Sequence, residues 1–206
     1  MTLSQFFLLA LAHALAVVSP GPDFAVVSRH AIAFGRRTGI AVAAGIGTGI
    51  LIHMTYTWAG VALLLKTHHS LEVAFTLIAG VYLGWMGYGA LRSGQGIPLS
   101  AEQGEQPGTL VAFRRGFFTN ALNPKATLFF LALFGSVLQV TPTDLQMVGI
   151  SAYLAIATGL WFTTLSILLT TGSLGRFLAA KGYWLDRILG VFLLILAVRL
   201  IAGLFW

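Results

Sequence analysis

Six long apolar segments, separated by short charged segments, make up most of the chain. They lie at about residues 3–27, 39–65, 71–91, 116–139, 145–171 and 188–206. Each approaches or exceeds the roughly 20 residues that an α-helix needs to cross the hydrocarbon core of a bilayer. Helices satisfy their own backbone polar groups in lipid. The pattern therefore predicts an all-α integral membrane protein with six transmembrane helices.

The composition indicates that the solvent of this chain is the lipid bilayer. Of its 206 residues, 57% are hydrophobic and 9% are charged, and the mean hydropathy is +0.88. A soluble domain carries about 25% charged residues. The formal charge of +6 would suit nucleic acid, but the basic residues fall between the predicted helices, which indicates membrane orientation instead. The chain has no cysteine, which excludes thiolate metal sites, and neither a metal nor a cofactor is expected.

The basic residues predict how the chain is oriented. The segments after helices one, three and five carry Arg29, Arg36, Arg37, Arg92, Arg114, Arg115, Arg176, Lys181 and Arg187. Because cytoplasmic loops are enriched in Lys and Arg, these loops are predicted to be cytoplasmic and both termini to be periplasmic. The first residues lack the basic region of a signal peptide, so the first segment is interpreted as a retained helix.

The two halves of the chain resemble each other weakly. Residues 80–83 (GVYL) match residues 190–193 (GVFL), and residues 48–51 (TGIL) match residues 158–161 (TGLW). A unit of three helices that is copied once must insert in opposite orientations. The sequence therefore predicts two inverted three-helix repeats.

We expect one transmembrane domain over residues 1–206. Repeat one covers residues 1–92, and repeat two covers residues 114–206. The intervening residues 93–113 are predicted to be a cytoplasmic linker, because this segment is rich in Gly, Gln, Glu and Pro. Its apolar residues follow no helical period.

Two proline-containing motifs interrupt predicted helices one and four. They are Ser19-Pro20-Gly21-Pro22-Asp23 and Asn123-Pro124-Lys125. A broken helix frees backbone N–H and C=O groups, which are costly in a membrane unless a partner satisfies them. A rise of about 1.5 Å per residue, counted from the nearest arginines, places both breaks roughly 14 Å from the cytoplasmic edge. Proline-broken helices one and four are therefore predicted to enclose one polar binding site.

The two breaks carry opposite charges. Asp23 is the only carboxylate in the interior of a predicted span, since Glu72 lies at the very start of its span, and Lys125 is the only lysine within one. Asp23 could bind the ammonium group of an amino acid, while Lys125 or the N–H groups after Pro22 could bind its carboxylate. Three structural alternatives stay open: Asp23 could complement its own helix dipole, Lys125 could only pair with Asp23, and Asn123 could be a helix cap.

Two histidines lie near the middle of predicted helices one and two. Histidine changes its charge near neutral pH, so His13 and His53 are candidates, with Asp23, for coupling transport to a proton gradient. The structural alternative is that each histidine forms a hydrogen bond between helices.

Three motifs resemble a known family. Residues 19–24 (SPGPDF), 82–88 (YLGWMGY) and 119–126 (TNALNPKA) resemble the LysE-type amino-acid exporter family, most closely its homoserine/threonine efflux branch. The resemblance implies a bacterial inner-membrane carrier that exports amino acids by using the proton gradient. With the breaks, it gives a set of candidate substrate-binding residues: Ser19, Gly21, Asp23, Asn120, Asn123 and Lys125.

Other functions compete with amino-acid export by proton antiport and alternating access. The chain could export another amino acid, a small metabolite or an ion. A membrane enzyme could use Asp23 with His13 or His53, but no nucleophile or cofactor cluster accompanies them, so an enzyme is not expected. A passive channel is a third alternative. Glycine-rich faces on helices two and three could pack within one chain or in a homodimer.

Overall fold

The computed structural model describes residues 2–18, 21–67, 69–92, 105–137, 142–171 and 183–204. These residues form eight α-helices and no β-strand, which confirms the all-α prediction. The helices are α1 (Leu3–Val18), α2 (Pro22–Phe34), α3 (Arg36–Thr67), α4 (His69–Arg92), α5 (Thr109–Ala121), α6 (Pro124–Val137), α7 (Asp144–Thr170) and α8 (Tyr183–Ala202). Ser19, Pro20 and residues 93–104 of the predicted linker lie outside the described residues.

Several helices have the length and hydropathy of membrane spans. The segment Arg36–Gly60 of α3 and the whole of α7 are each long and apolar enough to cross a bilayer. α1 and α2 meet the same criterion together, with a bend of 51° between them. Within the described residues, two or three of the six predicted spans are therefore present by length and composition.

A single glycine separates α2 from α3. Gly35 has φ of 84°, and its N–H donates to the carbonyl oxygen of Ala31 at 2.9 Å. Glycine adopts this left-handed conformation without steric cost, which allows an abrupt turn at the end of a helix. The predicted loop that contained Arg29 and Arg36 is therefore wrong: Arg29 lies within α2, and Arg36 begins α3. Basic residues by themselves therefore do not end a helix.

α3 packs against α2, α5 and α7, and its contact with α5 brings the two backbones together. A Cβ atom on Gly116 would lie 2.0 Å from the carbonyl oxygen of Val42, and one on Gly45 would lie equally close to a carbonyl oxygen of α5. Only glycine permits this approach. The contacts run from Val42 beside Gly116 to Gly49 beside Asn120, so α3 and α5 are parallel.

α4 and α8 cross at two glycines that contact each other reciprocally. A Cβ atom on Gly87 would lie 2.8 Å from the carbonyl oxygen of Gly190, and one on Gly190 would lie 2.7 Å from that of Gly87. Earlier in α4, Gly80 meets Ile201 near the end of α8, so the two helices are antiparallel. Reciprocal contacts of this kind are those that a two-fold axis between two helices produces.

α3 and α7 form a second reciprocal pair. A Cβ atom on Gly47 of α3 or on Gly159 of α7 would meet a backbone carbonyl oxygen of the other helix, at 2.8 Å and 4.0 Å respectively. Gly39 meets Ser166, so this pair is also antiparallel. The glycine-rich faces of predicted helices two and three therefore pack within the chain, and they are not available to hold a homodimer together.

Two helices begin earlier than the sequence predicted. α5 begins at Thr109 instead of near residue 116, so residues 109–113 of the predicted linker are helical. Ala112 and Gly116, four residues apart on one face, are buried, whereas the two arginines between them are exposed. The composition of residues 93–113 predicted a linker up to the two arginines, but the helix begins before them. α8 likewise begins at Tyr183 instead of near residue 188.

A capping box starts α7. The backbone N–H of Gln146 donates to the Thr143 hydroxyl at 3.3 Å, and the Thr143 N–H donates to the Gln146 side chain at 3.1 Å. We expect Thr143→Ala to lower the free energy of unfolding by about 1 kcal/mol, because it leaves a helix N–H without its partner. Unfolding of the purified protein by SDS in mixed micelles measures the change. Thr143→Ser keeps the hydroxyl and should be stable; equal stability of both variants would contradict this prediction.

Candidate functional site

The two interrupted helices meet at their breaks. One break lies between α1 and α2, and the other between α5 and α6. Gly21 is the N-cap of α2, Pro22 occupies its first turn, and a Cβ atom on Gly21 would lie 3.2 Å from Nζ of Lys125. Proline suits this position because the first helical N–H has no partner within the helix. Two motifs that lie far apart in sequence thus form one polar region.

Asp23 is held by amide groups from the opposite break. The Asn120 side chain donates from Nδ2 to Oδ2 of Asp23 at 2.8 Å, and Nδ2 of Asn123 approaches the same oxygen at 3.4 Å. Asp23 also lies in the first turn of α2, where the positive end of the helix dipole stabilises a carboxylate. The carboxylate therefore joins α2 to the end of α5.

Two oxygens of this arrangement accept no hydrogen bond from the described residues. Oδ1 of Asp23 and Oδ1 of Asn120 are both buried, and neither has a hydrogen-bond partner there. Buried acceptors are normally paired, because removing them from water without a partner costs free energy. The unused groups are acceptors from two different half-helices, so they suit a ligand that donates, such as an ammonium group.

Side chains of α3 and α6 satisfy the carbonyl groups that the second break exposes. Nε2 of His53 donates to the carbonyl oxygen of Asn120 at 2.7 Å, and the Thr127 hydroxyl donates to the carbonyl oxygen of Asn123 at 3.2 Å. The Tyr56 hydroxyl contacts Nδ1 of His53 and donates to Thr127 at 2.6 Å. His53, Tyr56 and Thr127 thus stabilise an interruption that would otherwise be costly in a membrane.

Asn123 caps the half-helix that follows the second break. Its Oδ1 accepts a hydrogen bond from the backbone N–H of Lys125 at 3.0 Å, and its own N–H donates to the carbonyl oxygen of Asn120 at 2.8 Å. The cap that the sequence left as an alternative is therefore present. The amide nitrogen of Asn123 still points towards Asp23, so the same side chain serves both the cap and the polar site.

A central pocket joins the two breaks to the other helices. Its polar lining consists of His13, Asp23, Asn120, Asn123, Lys125 and Thr158. Its apolar lining includes Ile50, Met86, Phe129, Phe130, Phe162 and Leu193. Nε2 of His13 lies 2.9 Å from the hydroxyl of Thr158, so this hydrogen bond joins α1 to α7. Both predicted repeats therefore contribute to one pocket.

A second, wider cleft opens beside the central pocket, between α2 and α5. Its lining includes Pro22, Arg29, His30, Glu105, Arg115 and Thr119. The cleft has a volume of about 750 Å³, whereas the central pocket has a volume of only about 50 Å³. One water needs about 10–15 Å³, so the central pocket holds only a few waters in this conformation.

The structure brings most of the sequence-predicted site residues together. Seven of them line the central pocket: His13, Gly21, Pro22, Asp23, Asn120, Asn123 and Lys125. Pro124 begins α6 beside this pocket. His53 lies behind the second break and contacts its backbone instead of the pocket. Ser19 and Pro20 lie outside the described residues. Sequence reasoning did not single out Tyr56, Thr127 or Thr158, although hydroxyl groups within apolar spans were a usable signal.

Gly49 keeps space for the side chain of Asn120. A Cβ atom on Gly49 would lie 2.8 Å from Oδ1 of Asn120 and 3.0 Å from its Cβ. We expect Gly49→Ala to displace the amide from Asp23. The binding of an amino acid, the ligand that the resemblance to the exporter family implies, should weaken about tenfold, the usual effect of one lost hydrogen bond to a charged group. Isothermal titration of the purified protein with L-threonine measures the affinity.

Gly60→Ala is the matched control, because a Cβ atom on Gly60, in the same helix, would meet no described atom within 4 Å. Both variants should elute as folded protein in size-exclusion chromatography. Wild-type affinity in folded Gly49→Ala would show that the position of Asn120 does not matter for binding.

Residues 14–203 match the LysE type translocator family. The chain is 30% identical to the threonine efflux protein of Escherichia coli (strain K12) over 91% of its own length and 93% of that protein. It is 31% identical to the threonine efflux protein of Salmonella typhi over the same shares. It is also 30% identical to the leucine efflux protein of Enterobacter sp. (strain 638) over 80% of its length and 78% of that protein. No solved structure matches the chain significantly.

Proposed function

This chain belongs to the LysE type translocator family, and we propose that it exports a small amino acid by secondary active transport. The family consists of translocators, so the chain is a membrane transporter and not an enzyme. The proposed substrate resembles threonine or homoserine, since relatives that align along nearly the whole chain are threonine efflux proteins. An exporter of leucine or another small metabolite is the alternative within the same family.

The observation that carries this proposal is the pair of unpaired acceptors at the meeting of the two breaks. Oδ1 of Asp23 and Oδ1 of Asn120 have no donor among the described residues, and an ammonium group would supply three. Nζ of Lys125 lies beside Gly21, so the site also contains a positive charge that would attract the carboxylate. Opposite charges at one site match the two charges of a free amino acid.

The remainder of the central pocket would receive the amino-acid side chain. Most of its wall is apolar, which suits the methyl groups of threonine or leucine. Apart from the polar residues at the two breaks, the hydrogen-bonded pair of His13 and Thr158 offers the only polar side chains that line it in the described part of the chain. In this conformation the pocket has room for only a few waters, so at most a small amino acid fits, and the helices must separate to admit a larger one.

We propose that transport is coupled to a proton gradient. Three groups are candidates for carrying the proton: Asp23, His13 and His53. Asp23 and His13 line the pocket, so substrate binding can change their surroundings directly. His53 acts on the backbone of the second break, so a proton on it would act through the position of Asn120.

Six transmembrane helices in two inverted repeats would allow alternating access. The reciprocal contacts of Gly87 with Gly190, and of Gly47 with Gly159, support a two-fold axis between the halves. Rocking of one half against the other about this axis would expose the central pocket to each side in turn. The charge distribution supports a multi-pass protein of the bacterial inner membrane with both termini periplasmic.

Transport into inside-out membrane vesicles tests the proposal. Vesicles that contain the protein receive an imposed proton gradient and labelled threonine, homoserine or leucine. We expect accumulation of at least one of these amino acids that requires both the protein and the gradient. Accumulation that stops when the gradient is collapsed would separate a carrier from a passive channel. No gradient-dependent accumulation of any amino acid would overturn the proposal.

A further inference from the structure

The wide cleft between α2 and α5 has no role in the proposed central site, but its chemistry matches the same substrate. Arg29 and Arg115 contribute positive charges to its lining, and Glu105 contributes a negative one. The two arginines come from different half-helices. Arginine is well suited to carboxylates, because its planar group can donate two parallel hydrogen bonds to both oxygens.

The cleft and the central pocket share one lining residue, and at a second place their linings contain neighbouring residues. Pro22 lines both cavities. On the opposite side, Thr119 lines the cleft and its neighbour Asn120 lines the pocket. A molecule in the cleft is therefore separated from Asp23 only by the first turn of α2 and the last turn of α5.

A buried histidine directs the guanidinium group of Arg115. Nδ1 of His30 lies 2.8 Å from the carbonyl oxygen of Val26, and Nη1 of Arg115 lies 3.0 Å from Nε2 of His30. A carbonyl oxygen can only accept and a guanidinium group can only donate. The ring therefore carries its proton on Nδ1, and Nε2 accepts from Arg115. His30 is 2% exposed, so this contact holds Arg115 at the wall of the cleft.

The rim of the cleft is also held in place. Nε2 of Gln106 donates to the hydroxyl of Thr38 at 3.2 Å and to the carbonyl oxygen of Phe34 at 3.5 Å. These bonds tie the segment before α5 to the end of α2 and the start of α3. Glu105, the neighbour of Gln106, lines the same cleft as the two arginines.

We propose that this cleft is a vestibule site for the amino acid that is exported, in which Arg115 binds the carboxylate before the molecule reaches Asp23. The proposal rests on the export function proposed above and on the cytoplasmic side of the cleft. The carboxylate of the amino acid first loses its bound water and binds Arg115 in the wide cleft. When the helices separate, the amino acid moves between Pro22 and Thr119 into the central pocket.

The test compares an amino acid with its carboxamide, which lacks the negative charge. Uptake of L-threonine and of L-threoninamide is measured in inside-out vesicles for wild type, Arg115→Gln and Arg114→Gln. Arg114 is the matched control, because it is the adjacent exposed arginine and lines neither cavity. We expect Arg115→Gln to raise KM for threonine about tenfold and to leave KM for the amide nearly unchanged. Arg114→Gln should behave as wild type for both probes.

Equal changes in KM for L-threonine and L-threoninamide in Arg115→Gln would overturn the proposed vestibule site, because a merely structural role of Arg115 would affect both probes alike. Wild-type values for both would overturn it as well. If Arg115→Gln does not elute as folded protein, Arg115→Lys decides: it keeps the charge but loses the paired hydrogen bonds, so the preference for the acid should fall. If wild-type vesicles accumulate neither threonine nor any other amino acid, the export function itself fails, which is a distinct result.

Discussion

Asp23→Asn is expected to reduce gradient-driven export at least about tenfold, because a hydrogen bond to a charged group contributes roughly 1.5–3 kcal/mol. Asparagine has the same shape and can still accept a hydrogen bond from Asn120, so the meeting of the two breaks should persist. The lost group is the negative charge that faces the proposed ammonium group. Initial rates of amino-acid uptake in inside-out vesicles, normalised to the amount of folded protein, measure the effect.

The control for this variant is Asp144→Asn. Asp144 is an exposed carboxylate in the first turn of α7, far along the chain from both breaks, and its replacement should leave export unchanged. Uptake by Asp23→Asn at the wild-type rate, with an unchanged KM, would remove Asp23 from both substrate binding and proton coupling. The location of the site at the two breaks would then also lose its main support.

Gly116→Ala is expected to prevent stable folding. Its new methyl group would lie 2.0 Å from the carbonyl oxygen of Val42, inside the contact between α3 and α5. Neither backbone can move without disturbing the rest of α3, which also packs on α2 and α7. Overpacking of a well-filled interior costs about 1–3 kcal/mol and sometimes more. We expect little monodisperse protein in size-exclusion chromatography and a strongly reduced thermal unfolding temperature in detergent.

Gly149→Ala is the matched control for this substitution. Gly149 also lies within a membrane helix, but a Cβ atom there would meet no described atom within 4 Å. Alanine favours the helix over glycine by up to about 1 kcal/mol, so this variant should be at least as stable as wild type. A Gly116→Ala protein as stable as Gly149→Ala would show that α3 and α5 are not in backbone contact.

The broken helices illustrate what a sequence pattern can predict. Proline inside an apolar segment removes a backbone donor, so interruptions near Pro22 and Pro124 followed from local chemistry alone. The resemblance to the LysE-type family is confirmed by the match over residues 14–203. The helix boundaries near Arg29 and Arg115 could not be predicted from the positions of these arginines. Charged side chains can lie on the exposed face of a helix that continues past them.

The partners within the site could not be predicted in the same way. Asp23 and Asn120 are far apart in sequence, and nothing local indicates that one donates to the other. The interhelical hydrogen bond predicted as the structural alternative for His53 is present, but its partner, the carbonyl oxygen of Asn120 at the second break, could not be read from the sequence. Tyr56 and Thr127 complete that network from two different helices.

The sequence by itself determined which segments are apolar helices, where proline interrupts two of them and which side chains are charged there. These properties depend on neighbouring residues and on the solubility of each side chain in lipid. Only the tertiary structure decided that the breaks meet, that Asp23 and Asn120 keep unpaired acceptors, and that Arg115 faces a separate cleft. Those properties depend on how closely the helices approach, and that distance is set by pairs of residues such as Gly116 and Val42 that are far apart in the chain.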